Sequence, residues 1–207
     1  MTDECGLGCH RGKLQLTDGL EFELFEEITI MEKVRLKPNI RSELVKIKEC
    51  PDFDIYQFTP SLFKAFPFRL ERISIAYRLR CALEYFVGYK VFYIKQDGVW
   101  GGYCIVSNGR NTRYKFCTSE DITFGRYFII PDLRGQGLGI KMIYEVLNNL
   151  GIPYKKAYAY VHAGNKASHA TLKRLGSIEV GHFDKVGKLR RIVDNEIGAY
   201  TLYFYEK

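Results

Sequence analysis

The sequence predicts an α/β fold, α+β in its mixed sheet, with strands running both parallel and antiparallel. Three observations predict it. A strand pattern from Ile122 to Ile130 runs into a glycine-rich turn that opens a helix, Gly137 to Leu150. A second strand, Lys156 to Val161, follows that helix, which makes a parallel crossover unit. Strand pairs joined by short turns stand before and after the unit and supply the antiparallel part.

The elements follow in chain order. Lys13 to Leu16 and Leu20 to Phe25 alternate apolar with polar around Thr17-Asp18-Gly19, a hairpin pattern. Residues 1–30 are therefore assigned to an N-terminal extension carrying that hairpin, and residues 31–207 to the main domain. An extended segment, Ile28 to Leu36, stops near Pro38, and Asn39 is placed to cap a short helix through Lys48. Pro51, Pro60 and Pro67 punctuate an aromatic-rich stretch from Pro51 to Phe68, expected to be an ordered loop. Ile75, Leu79, Ala82, Leu83 and Phe86 form one stripe of a helix over roughly Arg69 to Phe86.

Tyr89 to Lys95 and Gly102 to Val106 read as strands around Gln96-Asp97-Gly98, and Arg113 to Cys117 as a third short strand. Ile122 to Ile130 is rich in β-branched and aromatic residues and ends at Pro131. The helix after it places Ile140, Ile143, Val146, Leu147 and Leu150 on one side and ends at Gly151 with Pro153 beyond. Asn165 caps a further helix through Leu175, closed by Gly176. Ser177 to Asp184 and Tyr200 to Glu206 form a last strand pair joined by a basic loop.

Composition narrows the classes of function. The chain has 207 residues, 46% hydrophobic and 14% aromatic, enough to bury a core without staples. Its formal net charge is +7 and its pI about 9.0, so acidic partners are favoured. No nucleic-acid module accompanies that charge, and a ligand bearing phosphates explains it as well. Six cysteines show no C-x-x-C pair; Cys5, Cys9 and His10 lie together, yet no second ligand pair follows at finger spacing. Reduced thiols, no metal and a cytoplasmic location are expected. No apolar run reaches about 18 residues, so no membrane association is expected.

The chemistry concentrates in Arg134-Gly135-Gln136-Gly137-Leu138-Gly139. A strand ends there and a helix begins. The first amide N–H groups of a helix have no internal acceptor, and the helix dipole adds positive potential at the same end. Together they make an anion site. Gly135, Gly137 and Gly139 remove side chains from the approach, and Arg134 adds charge. The spacing excludes the dinucleotide fingerprint G-x-G-x-x-G. Gly139-Ile140 lacks the Lys-Ser or Lys-Thr of a nucleoside-triphosphate loop. On these residues alone, a tight strand-to-helix corner packed for steric reasons accounts for the glycines equally well.

The stretch resembles the GNAT acetyltransferase superfamily, whose loop follows Arg/Gln-x-x-Gly-x-Gly/Ala. Arg134, Gly137 and Gly139 fill that pattern, with Pro131-Asp132 ahead of it. Asn165-Lys166-Ala167-Ser168 then opens a helix ending at Leu175-Gly176, at the family's spacing. The resemblance covers roughly Tyr89 to the C-terminus, weakens earlier and is absent before about Ile28.

The resemblance implies a central twisted mixed sheet with helices on both faces and strands splayed at the cofactor site. It implies acetyl-coenzyme A as cofactor, its diphosphate held by backbone amides of Arg134, Gly135, Gln136, Gly137, Leu138, Gly139 and Ile140. The pantetheine arm would pair with the backbone of Phe128, Ile129 and Ile130 and meet Asn165, with Ser168 beside it. It further implies N-acetylation by direct transfer to the primary amine of a small molecule such as an amino sugar or amino acid. A protein N-terminus or lysine, or acyl-coenzyme A binding without catalysis, stand as alternatives. A monomer or homodimer without a nucleic-acid partner is expected.

The chain departs from the family at both proton-handling positions. The glutamate expected before the loop falls near Thr123, and Asp121, two residues earlier, lies on the same strand face. Asp121 is thus the leading general-base candidate, though a strand-entry acid in Ser119-Glu120-Asp121 is an equal reading. His162, after the Lys156 to Val161 strand, is a further base candidate, with His169 and Tyr160 nearby. Leu172 occupies the position of the family's tyrosine acid.

Overall fold

The computed structural model describes residues 44–61, 64–67, 85–86, 88–109, 116–187 and 191–206. The chain divides into two compact units, Met1–Arg35 and Leu36–Lys207, and every described residue belongs to the second. The expected hairpin at 13–25, the segment 28–36, the cluster of Cys5, Cys9 and His10, and most of the helix over 69–86 lie outside the described residues.

Nine strands are described: β1 (Leu44–Glu49), β2 (Asp54–Phe58), β3 (Tyr89–Gln96), β4 (Val99–Asn108), β5 (Ile122–Ile129), β6 (Lys156–His162), β7 (Ile178–Val186), β8 (Arg191–Asp194) and β9 (Tyr200–Glu206). Two helices accompany them, α1 (Leu138–Asn148) and α2 (Lys166–Arg174). The strands form one sheet in the order β1-β2-β3-β4-β5-β6-β9-β7-β8. Only β5 and β6 pair in parallel, as the crossover through α1 requires; every other adjacent pair is antiparallel. The mixed sheet of the expected fold class is therefore present.

Period-two alternation sorts the core onto two faces. Ile122 and Phe124 of β5, and Ala157, Ala159 and Val161 of β6, join α1 residues Leu138, Met142, Ile143, Val146 and Leu147 in one cluster. Leu172 and Leu175 of the α2 segment enter the same cluster, so both described helices cover one face. On the other face Phe183, Tyr200 and Leu202 pack with Tyr158 and Tyr160, and Phe58, Val91 and Tyr93 form a third group. Central β3 is buried on both faces, which is why Val91, Phe92, Tyr93 and Ile94 run apolar without a break.

Four expectations are corrected. The helix capped by Asn39 through Lys48 is not formed over 44–49, where β1 pairs with β2 instead. Val45 and Ile47 are β-branched, and Lys46 reaches across the pair to Asp54 at 2.9 Å, so cross-strand contacts override the local helix pattern. The loop expected over Pro51 to Phe68 contains β2, whose Ile55 and Phe58 are fully buried between flanking prolines. The basic loop before Tyr200 contains β8, which folds back on β7 through Val186↔Arg191. Cys117 of the expected Arg113 to Cys117 strand is not in a strand, and 113–115 lie outside the described residues.

Candidate functional site

The sheet opens between its two parallel strands. β5 and β6 pair only through Ile122↔Ala157 and Thr123↔Tyr158. Beyond that vertex β5 stays with β4 as far as Gly102↔Ile129, and β6 stays with β9 as far as His162↔Tyr200. The facing edges of β5 and β6 are therefore not paired with each other beyond Thr123 and Tyr158.

A β-bulge in β5 explains the divergence. Tyr103 pairs with Phe128 and Ile105 with Gly125, so Arg126 and Tyr127 together face Cys104. Arg126 takes a left-handed φ of 47°, a strained conformation for a side chain of its size. A bulge bends its strand and increases the local twist, which turns β5 away from β6. It also resets the alternation. Phe124 and Tyr127 lie on the helix-covered face although three positions separate them.

Past the bulge, the peptide groups of β5 have separate jobs. The Ile130 N–H donates to the Gly101 carbonyl at 3.0 Å, so Ile130, and Phe128 by alternation, are turned to β4. Ile129 is turned to the gap, where its carbonyl accepts Arg134 Nε at 2.9 Å. Of the three residues expected along the pantetheine arm, Ile129 is the one with backbone groups on the open edge.

The glycine-rich turn follows a single 3-10 turn, Pro131–Leu133. Gly135 and Gly137 have φ of 82° and 73°, which only glycine adopts without strain. Gly139 is different: a Cβ there would stand 3.7 Å from Ile129 Cγ1, an ordinary contact. Gly137 is the N-cap of α1 and has no side chain to cap it. The first amide to close within the helix is Lys141, donating to the Gly137 carbonyl at 3.2 Å. The N–H groups of Leu138, Gly139 and Ile140 precede it and have no acceptor in the helix. Arg134 lies over the Phe128 ring at 5.3 Å, so one exposed arginine ties the turn to the strand and leaves positive charge at the helix start. Gln136 is exposed on the same turn.

α2 begins on the opposite side of the gap. The Asn165 side chain accepts the Ser168 N–H at 3.1 Å as a cap, and the Asn165 N–H donates to the His162 carbonyl at 2.8 Å. Asn165 is exposed and Ser168 half-buried.

The proton-handling candidates are scattered. Asp121 is buried at the closed end of the splay. Its Oδ2 accepts the Thr118 N–H at 2.8 Å and the Thr118 hydroxyl at 2.7 Å, and its Oδ1 accepts the Lys156 N–H at 3.2 Å. This carboxylate joins the turn before β5 to the start of β6. Thr123 stands at the vertex, half-buried, on the face away from the helices. His162 is exposed at the end of β6, its ring edge-on to Tyr200 at 5.3 Å. Its Nδ1 accepts the Gly164 N–H at 3.2 Å, which puts the proton of the neutral ring on Nε2. His169 engages Tyr203 Oη at 2.8 Å and the His162 carbonyl at 3.1 Å, so both its nitrogens are occupied. Leu172 is fully buried, and Tyr160 packs edge-on against Phe183 and Tyr200.

Sequence reasoning missed the bulge and Tyr127. Gly125 inside an otherwise unbroken strand pattern was the signal. Burial pushes the Tyr127 phenol up, and the hydroxyls of Ser168 and Thr171 on α2 act in the opposite direction. Burial likewise pushes the Cys104 thiol beneath the bulge up to about 12.

No family model and no curated protein matches this sequence. Solved structures do match the fold. The microcin self-immunity acetyltransferase MccE, in complex with acetyl-CoA and AMP, is 14% identical. That match covers 76% of this chain and 94% of the other, with a TM-score of 0.50. The ribosomal-protein alpha-N-acetyltransferase RimL, in complex with coenzyme A, is 10% identical over 78% of this chain and 98% of its own, with a TM-score of 0.52. An acetyltransferase from Salmonella typhimurium that modifies the N-terminal serine of a ribosomal protein is 10% identical. It covers 79% of this chain and 99% of its own, with a TM-score of 0.51. The chain has the fold of GNAT acetyltransferases.

Proposed function

We propose that this chain is an N-acetyltransferase that moves an acetyl group from acetyl-coenzyme A to the primary amine of a small molecule by direct transfer. One observation carries the reading: β5 and β6 part after two paired positions, beside a helix start with three unaccepted amides. The residues fit the coenzyme. Leu138, Gly139 and Ile140 offer donors to its diphosphate, Arg134 supplies charge, and the Ile129 edge suits an amide-bearing arm. The coenzyme supplies an acetyl group activated as a thioester.

The chain's own residues handle position and protons. The amine must reach the gap uncharged and close to the carbonyl. Asp121 accepts three hydrogen bonds, His169 has both ring nitrogens engaged, and His162 has its acceptor nitrogen Nδ1 taken by the Gly164 N–H. None of the three offers a free base, so the amine proton passes to water, with the Thr123 hydroxyl at the vertex positioning that water or the amine. On the face away from the helices Tyr158 and Tyr160 are half-buried along β6, and in this reading their rings wall the acceptor side.

A second reading, acetylation of a protein N-terminus, draws on the fold matches to ribosomal-protein acetyltransferases. An acceptor screen with acetyl-coenzyme A, following thiol release, tests both. Turnover of amino sugars or amino acids supports the first, and turnover of peptides alone supports the second. Release no faster than hydrolysis across the whole panel contradicts acetyl transfer.

A further inference from the structure

Lys185 of β7 has no role in the account so far, and its charge stands in an unusual place. Strand alternation sends Phe183 and Lys185 to the face away from the helices. Asp184 between them is turned the other way, where its carboxylate accepts the Ala199 N–H at 2.7 Å and the side-chain amide of Asn195. Those bonds pin β7 next to Lys185. Phe183, Tyr200 and Tyr160 make a corner of three rings. Phe183 stacks on Tyr200 at 5.5 Å, and Tyr160 stands edge-on to the two at 5.8 and 5.9 Å. The half-buried Lys185 lays its ammonium over this corner, 3.8 Å from the Tyr160 ring centroid and 4.2 Å from that of Tyr200. Attraction to two ring faces holds in one place a side chain that is otherwise long and flexible. The rings carry no net charge, so they position the ammonium without neutralising it.

That position adjoins the gap. Tyr160 lies on β6 two residues past the Thr123↔Tyr158 pair, on the stretch that has left β5. Its ring walls the acceptor side in the reading above, so the ammonium stands at the edge of the space the acceptor must enter. A fixed cation there draws a negative group on the acceptor and repels a second positive one. It also disfavours the ammonium form of the acceptor's own amine, which must be uncharged to attack.

We infer that Lys185 determines acceptor specificity, selecting amines whose molecule also carries an anionic group, a carboxylate or a phosphate. This rests on the acetyl-transfer reading above and narrows its substrate class. The anionic group lies against the ammonium over Tyr160, and the amine of the same molecule points along β6 into the gap.

The test compares acceptors in matched pairs, with and without the anionic group: alanine against alaninamide, and glucosamine 6-phosphate against glucosamine. Thiol release from acetyl-coenzyme A gives kcat/KM for each in the parent, Lys185→Gln and Lys185→Arg, and calorimetry gives coenzyme A affinity. Members of a pair differ in amine basicity, so the readout is the change in their ratio on substitution. The parent is expected to favour the anionic member of at least one pair, and which pair it is tells carboxylate from phosphate. In Lys185→Gln that ratio falls roughly tenfold, the worth of one charge-assisted hydrogen bond, with the loss in KM. Lys185→Arg keeps the charge over the rings and holds the ratio within about threefold of the parent. Coenzyme A affinity stays within about twofold in both variants. Four results overturn the inference: the parent favours the neutral member of both pairs, Lys185→Gln keeps the ratio, it lowers both members equally, or Lys185→Arg loses the ratio as fully as Lys185→Gln. A parent that binds coenzyme A but turns over no acceptor overturns the acetyl-transfer reading itself, and this inference with it.

Discussion

The Asp121 carboxylate accepts the backbone N–H of Lys156 at 3.2 Å, and this bond joins the entries of the two strands that later diverge. The same carboxylate holds the Thr118 amide and hydroxyl. One buried side chain thus anchors the closed end of the splay, while the open end is left to the bulge and to α1.

Asp121→Ala is therefore expected to act on folding. It removes the two oxygens that accept three hydrogen bonds and leaves the Thr118 and Lys156 amides without that partner, at a cost of about 3 kcal/mol. Urea unfolding checks this. A variant with parental stability but abolished turnover would instead mark Asp121 as a base.

The glycines of the turn make unequal demands. Gly137→Val forces a β-branched residue to φ of 73° at the helix start, and coenzyme A affinity is expected to fall at least about tenfold. Gly139→Ala places its methyl at an ordinary distance from Ile129, so affinity stays within about threefold. The added helix propensity raises stability by up to about 1 kcal/mol. Calorimetry and thermal unfolding of the two variants side by side read out both effects.

The buried Cys104 thiol makes stability depend on alkaline pH. Its pKa rises from 9.0 to about 12 in the folded chain, so between those values the unfolded state is deprotonated while the native state holds its proton. Stability is intact below pH 9 and falls above it by about 1.4 kcal/mol per pH unit. Urea midpoints from pH 8 to 11 should show this slope, reduced in Cys104→Ala. The native thiol should also resist alkylation at pH 8.

The rate of acetyl transfer should rise with pH through the acceptor amine's own pKa, without a histidine-like step. His162 Nδ1 is held by the Gly164 amide, so His162→Asn is expected to leave the shape of the pH profile unchanged. Loss of a limb near neutral pH in that variant would assign His162 the base role.

The parts of the fold legible in the sequence were those where local and long-range demands agree. Ile122 to Ile130, the helix from Gly137 and the Asn165 cap were read within a residue or two, because strand pattern, glycine turn and cap chemistry all act locally. β1 was read as helix because its pairing with β2 is decided by a partner outside the window. The helix start with free amides was legible for the same local reason: it is defined by one turn of chain. The bulge was not. It depends on how Cys104 of β4 meets two residues of β5, and the glycine before it was a hint without a register. Asp121 was read as a base candidate because its partners, Thr118 and Lys156, come together only in the folded sheet.

The most direct test of the central claim is a coenzyme A titration followed by amide proton and nitrogen NMR on the isotope-labelled chain. The amides of Leu138, Gly139 and Ile140 should shift downfield together with that of Ile129 and saturate at one ligand equivalent, because those donors face the gap without an acceptor in the helix. Binding that leaves these four resonances in place, or no binding at low salt, would contradict it.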